Sequence, residues 1–201
     1  MKSGPGNVAR GAPQQVRIIG GQWKRTPLPV PPGDGLRPTP DRVRETLFNW
    51  LGQDLTGLRC LDAFAGSGAL GFEAASRGAE RVLMVEFAAP AVRQLRANQA
   101  KLNADQVEIV QADARRLITT LSPGVFDVVF LDPPFASGWL TDLLAPAARL
   151  LADDGVIYAE SDTPLEDDAL AALGLACLRR AKAGAVHYHL LESISKTQRP
   201  Q

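Results

Sequence analysis

The chain has 201 residues, 45% of them hydrophobic, which is enough for one sizeable core and leaves little room for a second full domain. Its 22 Lys/Arg balance 22 Asp/Glu, yet residues 1–50 hold eight basic residues against three acidic ones, a charge of +5 that leaves −5 on the remainder. The first residues lack the apolar core of a signal peptide, no run approaches the roughly 18 apolar residues of a membrane span, and two cysteines make no disulfide framework, so a membrane protein and a disulfide scaffold are excluded and a cytoplasmic protein is expected.

In chain order, residues 1–15 are rich in Gly, Pro and Gln and read as a disordered tail. A short β-like run at 16–19, the pair Gly20-Gly21 and a proline-rich stretch read as an extended arm. The segment "TPDRVRETLFNWLG" predicts a helix with Thr39 as N-cap, Pro40 at the first helical position, Asp41 in the first turn and Gly52 just past the end. Val43, Leu47, Trp50 and Leu51 form its apolar stripe, which puts Arg42, Arg44, Glu45 and Asn49 off the buried face. A basic arm on an acidic body suits an enzyme that acts on a polyanion, because the arm can meet phosphates while the body holds the chemistry; a solvated tail is the plainer alternative.

From Leu58 onward strands and helices alternate, with strands expected near 58–62, 81–86, 107–110, 126–131 and 155–160 and helices near 69–77, 89–103, 114–121, 139–151 and 165–172. Short, continuous apolar strands predict a mostly parallel α/β sheet covered by helices on both faces. After Gly174, two extended runs around Ala183-Gly184 predict a hairpin that adds antiparallel strands. Cys60 and Cys177 lie in apolar runs and read as reduced thiols, and His187 and His189 alternate on one strand with no other ligand cluster nearby in sequence, so no metal site is expected.

Five positions carry chemistry. Gly66, Gly68 and Gly71 make G-x-G-x-x-G between a strand and a helix, where a nucleotide-like ligand can approach the backbone. Glu86 ends the next strand, 18 residues after Gly68, where it can accept from both hydroxyls of a ribose; this serves NAD and S-adenosylmethionine (SAM) alike. Asp62, at the end of the first strand, would repel a pyrophosphate and favour a ligand with an ammonium or sulfonium group, and SAM has both. Asp113 either accepts from an adenine amino group or caps the following helix. Lastly, "FLDPPF" ends a buried strand with Asp132, Pro133, Pro134 and Phe135. The prolines have no N–H and hold a rigid turn with carbonyls turned to acceptance, Asp132 adds a carboxylate, and Phe135 can stack on an unstacked base. Two acceptors that grip a planar NH2 group raise the electron density on its nitrogen, as attack on a methyl sulfonium requires.

"DAFAGSGALGFEAASRGA", "VEF", "QADA" and "DPPF" resemble the ordered motifs of class I SAM-dependent amino methyltransferases. More narrowly, "RIIGGQWKRTPL", "GLRPTPDRVRETLFNWL" and "KAGAVHYHLLE" are similar to the RsmD-type bacterial enzymes that methylate the N2 amine of one guanine in small-subunit ribosomal RNA. The resemblance spans residues 16–192 and departs mainly in the long "PVPPGDG" arm. It implies a Rossmann-like, seven-stranded methyltransferase sheet with a C-terminal antiparallel hairpin and a small N-terminal β-hairpin and helix extension. The implied division is an RNA-binding extension at 16–52, a methyltransferase domain at 53–195 and a tail at 196–201. SAM would be held by Asp62, Phe64, Gly66, Gly68, Glu86 and Asp113, the guanine by Asp132, Pro133, Pro134 and Phe135, and RNA phosphates by Arg17, Arg37, Arg42 and Arg44. The implied partner is 16S rRNA in an assembled or assembling small subunit, acted on by a monomer. A DNA adenine-N6 methyltransferase, a protein-glutamine methyltransferase and a non-catalytic RNA-binding assembly factor are the alternatives.

Overall fold

The computed structural model describes residues 15–30 and 39–194; the tails at 1–14 and 195–201 and the loop at 31–38, with Arg37, lie outside the described residues. The chain begins with β1 (Gln15–Arg17), β2 (Pro27–Pro29) and α1 (Asp41–Trp50). It then alternates through β3 (Arg59–Asp62), α2 (Ala69–Ser76), β4 (Arg81–Glu86), α3 (Ala89–Leu102), β5 (Val107–Gln111), α4 (Ala114–Thr120) and β6 (Phe126–Leu131). A 3-10 turn at Phe135–Ser137 leads to α5 (Trp139–Leu150), β7 (Leu151–Ser161), α6 (Asp167–Ala172), β8 (Leu175–Ala183) and β9 (Val186–Ser193). Seven strands form one sheet in the order β5-β4-β3-β6-β7-β9-β8. The five from β3 to β7 are parallel, and β9 runs antiparallel to both of its neighbours, which gives the hairpin expected at Ala183-Gly184. No helix among the described residues is long and apolar enough to cross a membrane.

Alternation along each strand divides the core in two. Cys60, Val82, Met84, Val128, Phe130, Tyr158 and Tyr188 face α1, α2 and α3. Leu61, Leu83, Val85, Val129, Leu131, Ile157 and Leu191 face α4, α5 and α6. Both faces are dry, which is why these strands read as unbroken apolar runs. Burial pushes the Cys60 thiol up to about 12, as expected of an inert core thiol. β7 is longer than the 155–160 expected, because it starts at Leu151, opposite Phe126, and crosses an irregularity before the regular ladder resumes at Val156.

The N-terminal segment is built into the same core. β1 and β2 pair antiparallel, with Pro27 and Pro29 flanking Leu28 in a two-stranded sheet where missing N–H donors are tolerated. Ile18, Leu28, Val43, Leu47 and Phe48 join the cluster that holds Phe130 and Tyr158. Two expectations are corrected here. Thr39 is not the N-cap: Pro40 occupies that position, with no side-chain cap bond, and the Thr39 hydroxyl turns instead toward Asp132. Arg44 is not a surface cation either, for its side chain is 0% exposed. Its Nη1 lies 3.2 Å from Glu73 Oε2, its Nη2 donates to Asp41 Oδ1 at 2.6 Å and to the Arg17 carbonyl at 2.8 Å, and its Nε donates to the Thr39 carbonyl at 3.2 Å. α1 buries a face wide enough to take in both Val43 and Arg44, and the partner that makes this tolerable, Glu73, comes from α2.

Candidate active site

The strand order reverses between β3 and β6: the chain builds outward through β4 and β5, then returns to the other side of β3. In open α/β sheets the crevice at the carboxyl ends of the strands flanking such a point binds ligands. Asp62 ends β3, Glu86 ends β4 and Asp132 directly follows β6, so three of the acids selected from sequence gather at this edge.

The turn from β3 to α2 is held by those acids. Gly66 and Gly68 have φ of 49° and 80°, left-handed values that favour glycine. Glu86 Oε2 accepts from Gly66 N at 2.9 Å and its Oε1 from Ala88 N at 2.7 Å. Asp62 Oδ2 accepts from Gly71 N at 2.9 Å, and a Cβ at Gly71 would lie 3.0 Å from that oxygen. Asp62 is buried, which pushes its carboxyl up to about 7 against the pull of the Gly71 N–H, with Glu86 adding to the rise. A cation set against it would restore its charge. Asp113 caps α4: its Oδ1 accepts from Arg115 N at 3.0 Å and its Oδ2 from Arg115 Nη2 at 2.7 Å, and the Arg115 guanidinium holds the carboxyl below its usual range. The helix-cap alternative is therefore realised, and any ligand would share Asp113 with Arg115.

Phe64 is expected at the cofactor site, whereas Trp139, Arg115 and Phe87 are not expected there. Phe64 stacks on Trp139 with ring centroids 6.4 Å apart, and the Arg115 guanidinium lies 4.2 Å from the Trp139 ring centre. Phe87, next to Glu86, is 74% exposed, a large apolar area left uncovered at the crevice edge. Only its position directly after a strand-ending acid could have marked it.

Around Asp132 the polypeptide turns sharply. The Pro134 carbonyl accepts from Ser137 N at 2.9 Å and from Ser137 Oγ at 2.5 Å, so only the Pro133 carbonyl, which accepts from no described residue, is left for a ligand. That revises the expectation that both carbonyls are free. Phe135 is 40% exposed and stands beyond the prolines. The Asp132 carboxyl is raised well above the usual range, first by burial, then by the charges of Glu160 and Asp62, while the Thr39 hydroxyl, 3.5 Å from Oδ2, opposes the rise. On the arm, the Arg17 and Arg42 side chains are exposed. Arg44 is withdrawn from the phosphate-binding set because it is buried against Glu73.

The family model described as "Conserved hypothetical protein 95" matches residues 16–192. Ribosomal RNA small subunit methyltransferase D of Escherichia coli K12 is 46% identical over 150 residues, 74% of this chain and 75% of the relative. The Haemophilus influenzae protein of the same name is 40% identical over 190 residues, 89% and 94% of the two chains. Among solved structures, the Escherichia coli methyltransferase yhhF superposes with a TM-score of 0.79 at 40% identity and covers 91% of this chain and all of that one. The matched span runs from β1 almost to the end of β9 and includes every acid at the crevice, so the chain belongs to the Conserved hypothetical protein 95 family and is an RsmD-type methyltransferase.

Proposed function

We propose that the protein transfers a methyl group from SAM to the exocyclic N2 amine of a guanine in small-subunit ribosomal RNA. The observation that carries this reading is the half-buried Asp132 followed by the unengaged Pro133 carbonyl and the exposed Phe135 ring, all at the crevice that Asp62 and Glu86 also line. The names of the relatives support ribosomal RNA as the substrate class.

The residues present fit SAM. Asp62, a buried carboxylate beside a glycine turn, suits the cationic amino-acid end, and Glu86 retains acceptor capacity for ribose hydroxyls beyond its two backbone bonds. Phe87 and the Phe64–Trp139 stack offer apolar faces for the adenine. When bound, SAM supplies an electrophilic methyl group. Asp132 and the Pro133 carbonyl accept the two N–H bonds of the guanine amine and fix the direction of its lone pair, and Phe135 stacks on the base. Proline fixes this acceptor pair in advance, so the rate gain is one of positioning.

Glu86→Ala should weaken SAM binding by about 1–3 kcal/mol, the value of charge-assisted hydrogen bonds lost together with the anchor of Gly66. Calorimetry checks this, and an unchanged dissociation constant would remove Glu86 from the cofactor site. Replacing Arg17 and Arg42 together by Ala should lower RNA affinity and flatten its salt dependence by up to about two units of log–log slope, roughly one per lost phosphate contact. Both side chains are exposed, so the unfolding midpoint should hold; binding at several salt concentrations reads the slope, and a wild-type slope with wild-type affinity assigns them to a solvated surface.

The deciding experiment incubates the protein and labelled SAM with deproteinised ribosomal RNA, assembled small subunits from cells lacking the enzyme, and duplex DNA, then maps the label. Methyl on guanine N2 of the RNA is expected. Label on adenine N6 of the duplex, or none on either nucleic acid, overturns the proposal.

A further inference from the structure

Glu160 is buried near the end of β7, and nothing in the reading above uses it. β6 and β7 are parallel, with Phe130 opposite Tyr158 and Leu131 opposite Ala159. One further step of that register sets Asp132 beside Glu160, on the sheet face that Phe130 and Tyr158 turn toward α1. The Tyr158 hydroxyl donates to Glu160 Oε1 at 2.7 Å. The Thr39 hydroxyl lies 3.5 Å from Asp132 Oδ2, and its own residue is tethered by Arg44 through the Thr39 carbonyl. Tyr188, paired with Glu160 across β9, closes the opposite side and stacks on Trp50 at 5.4 Å. Among the described residues, the titratable groups that bear on the two acids are Asp62 and Tyr158, with Tyr188 bearing on Tyr158, and none of these is a cation.

Two carboxylates in one water-poor crevice do not both stay ionised, and they titrate as a unit. We propose that Asp132 and Glu160 form a pair that holds a single proton, and that Glu160, acting through Asp132, is the final acceptor of the proton that the amine loses on methylation. The inference rests on the amine-methylating reading above. As the nitrogen–carbon bond forms and the methyl carbon's bond to sulfur breaks, the amine nitrogen becomes cationic and has one proton to lose. Asp132 takes that proton on one oxygen while the proton on its other oxygen passes to Glu160. The pair moves from one proton and one negative charge to two protons and none, and returns the surplus to water after product release. The surroundings suit these roles: burial raises both carboxyls, but Glu160 and Asp62 add like charge against Asp132 and push it well above the usual range, while the Tyr158 hydroxyl donates to Glu160 and opposes the rise there.

The test begins without substrate. In protein carrying 13C at Asp and Glu side-chain carboxyls, NMR titration should show the pair taking up protons in two separated steps, with one proton still bound at neutral pH. Glu160→Gln should leave a single step for Asp132 that falls at lower pH, because the like charge is gone. Two independent carboxyls, both ionised at neutral pH and indifferent to Glu160→Gln, overturn the pair. In the second arm, Glu160→Gln should cut kcat on the RNA by about 10- to 100-fold, toward the low end for general-base catalysis. The acid limb of its pH profile should move to lower pH, KM and SAM affinity should stay within a few-fold, and Glu160→Asp should recover part of the rate. A Glu160→Gln enzyme with wild-type kcat and an unmoved acid limb overturns the relay. Paired titration in a protein that methylates no RNA would count for the pair and against the proposed function, so the two failures are distinguishable.

Discussion

Replacing Glu73 by Ala should cost about 3–5 kcal/mol of folding stability, the range for removing one partner from a buried ion pair. Glu73 is 0% exposed in the middle of α2, a helix whose other residues are apolar except Ser76 at its end, and both its oxygens are fully used. Oε2 accepts from Ile19 N at 2.9 Å and from Arg44 Nη1 at 3.2 Å; Oε1 accepts from Gly20 N at 2.7 Å and from Arg77 Nε at 2.9 Å. Without it, the Arg44 and Arg77 guanidiniums, exposed by 0% and 6%, keep their charge and lose the only deeply buried counter-charge they have among the described residues, since Asp41 is 61% exposed. Two backbone N–H groups of the N-terminal segment lose their acceptor as well. Glu73→Gln, which keeps the shape and one acceptor, should lie between Ala and wild type. Urea unfolding reads the effect; a loss within 0.5 kcal/mol, the usual range for surface substitutions, would mean that the network adds nothing. Because Glu73 ties the arm to the helix that follows the glycine turn, residual folded Glu73→Ala protein should lose RNA affinity before SAM affinity.

Asp132→Ala should lower kcat by about 10²- to 10⁴-fold, the scale of a lost positioned proton acceptor, while SAM affinity stays within a few-fold. Its effect on stability has the opposite sign. The folded-state carboxyl is raised above its unfolded value, chiefly by burial, so the folded protein binds the proton more tightly than the unfolded chain does. The resulting penalty is absent below the free carboxyl value of about 3.9, grows as pH rises, and levels off once the raised folded value is passed. Asp132→Asn, which keeps the shape and drops the charge, should therefore be at least as stable as wild type at neutral pH and should lose that advantage in acid. Single-turnover rates and melting points measured across pH check both halves. An active Asp132→Asn enzyme would remove Asp132 from the chemistry, and one that is less stable at neutral pH would contradict the electrostatic account.

Local pattern was sufficient for the doubly covered sheet. Each core strand from β3 to β6 is short and apolar along its length, each helix that follows has its own period, and the acids Asp62, Glu86 and Asp132 stand where a strand stops, a position readable from the run that precedes it. The C-terminal hairpin was legible for the same reason, since Ala183-Gly184 interrupts two extended runs. What pairing across the fold decides was not legible. Arg44 looked like a surface cation because its counter-charge lies 29 residues away on α2. Thr39 looked like a helix cap because the Asp132 it faces is 93 residues distant. Glu160 drew no notice because its meaning depends on β7 lying beside β6 in one particular register. The sequence by itself determined which segments become strands and helices and which acids end the strands, because those follow from nearest-neighbour periodicity and backbone chemistry. Only the tertiary structure decided which charges are buried, which carbonyls stay open and which carboxylates share a crevice, because desolvation and Coulomb energy depend on distances that chain separation does not encode.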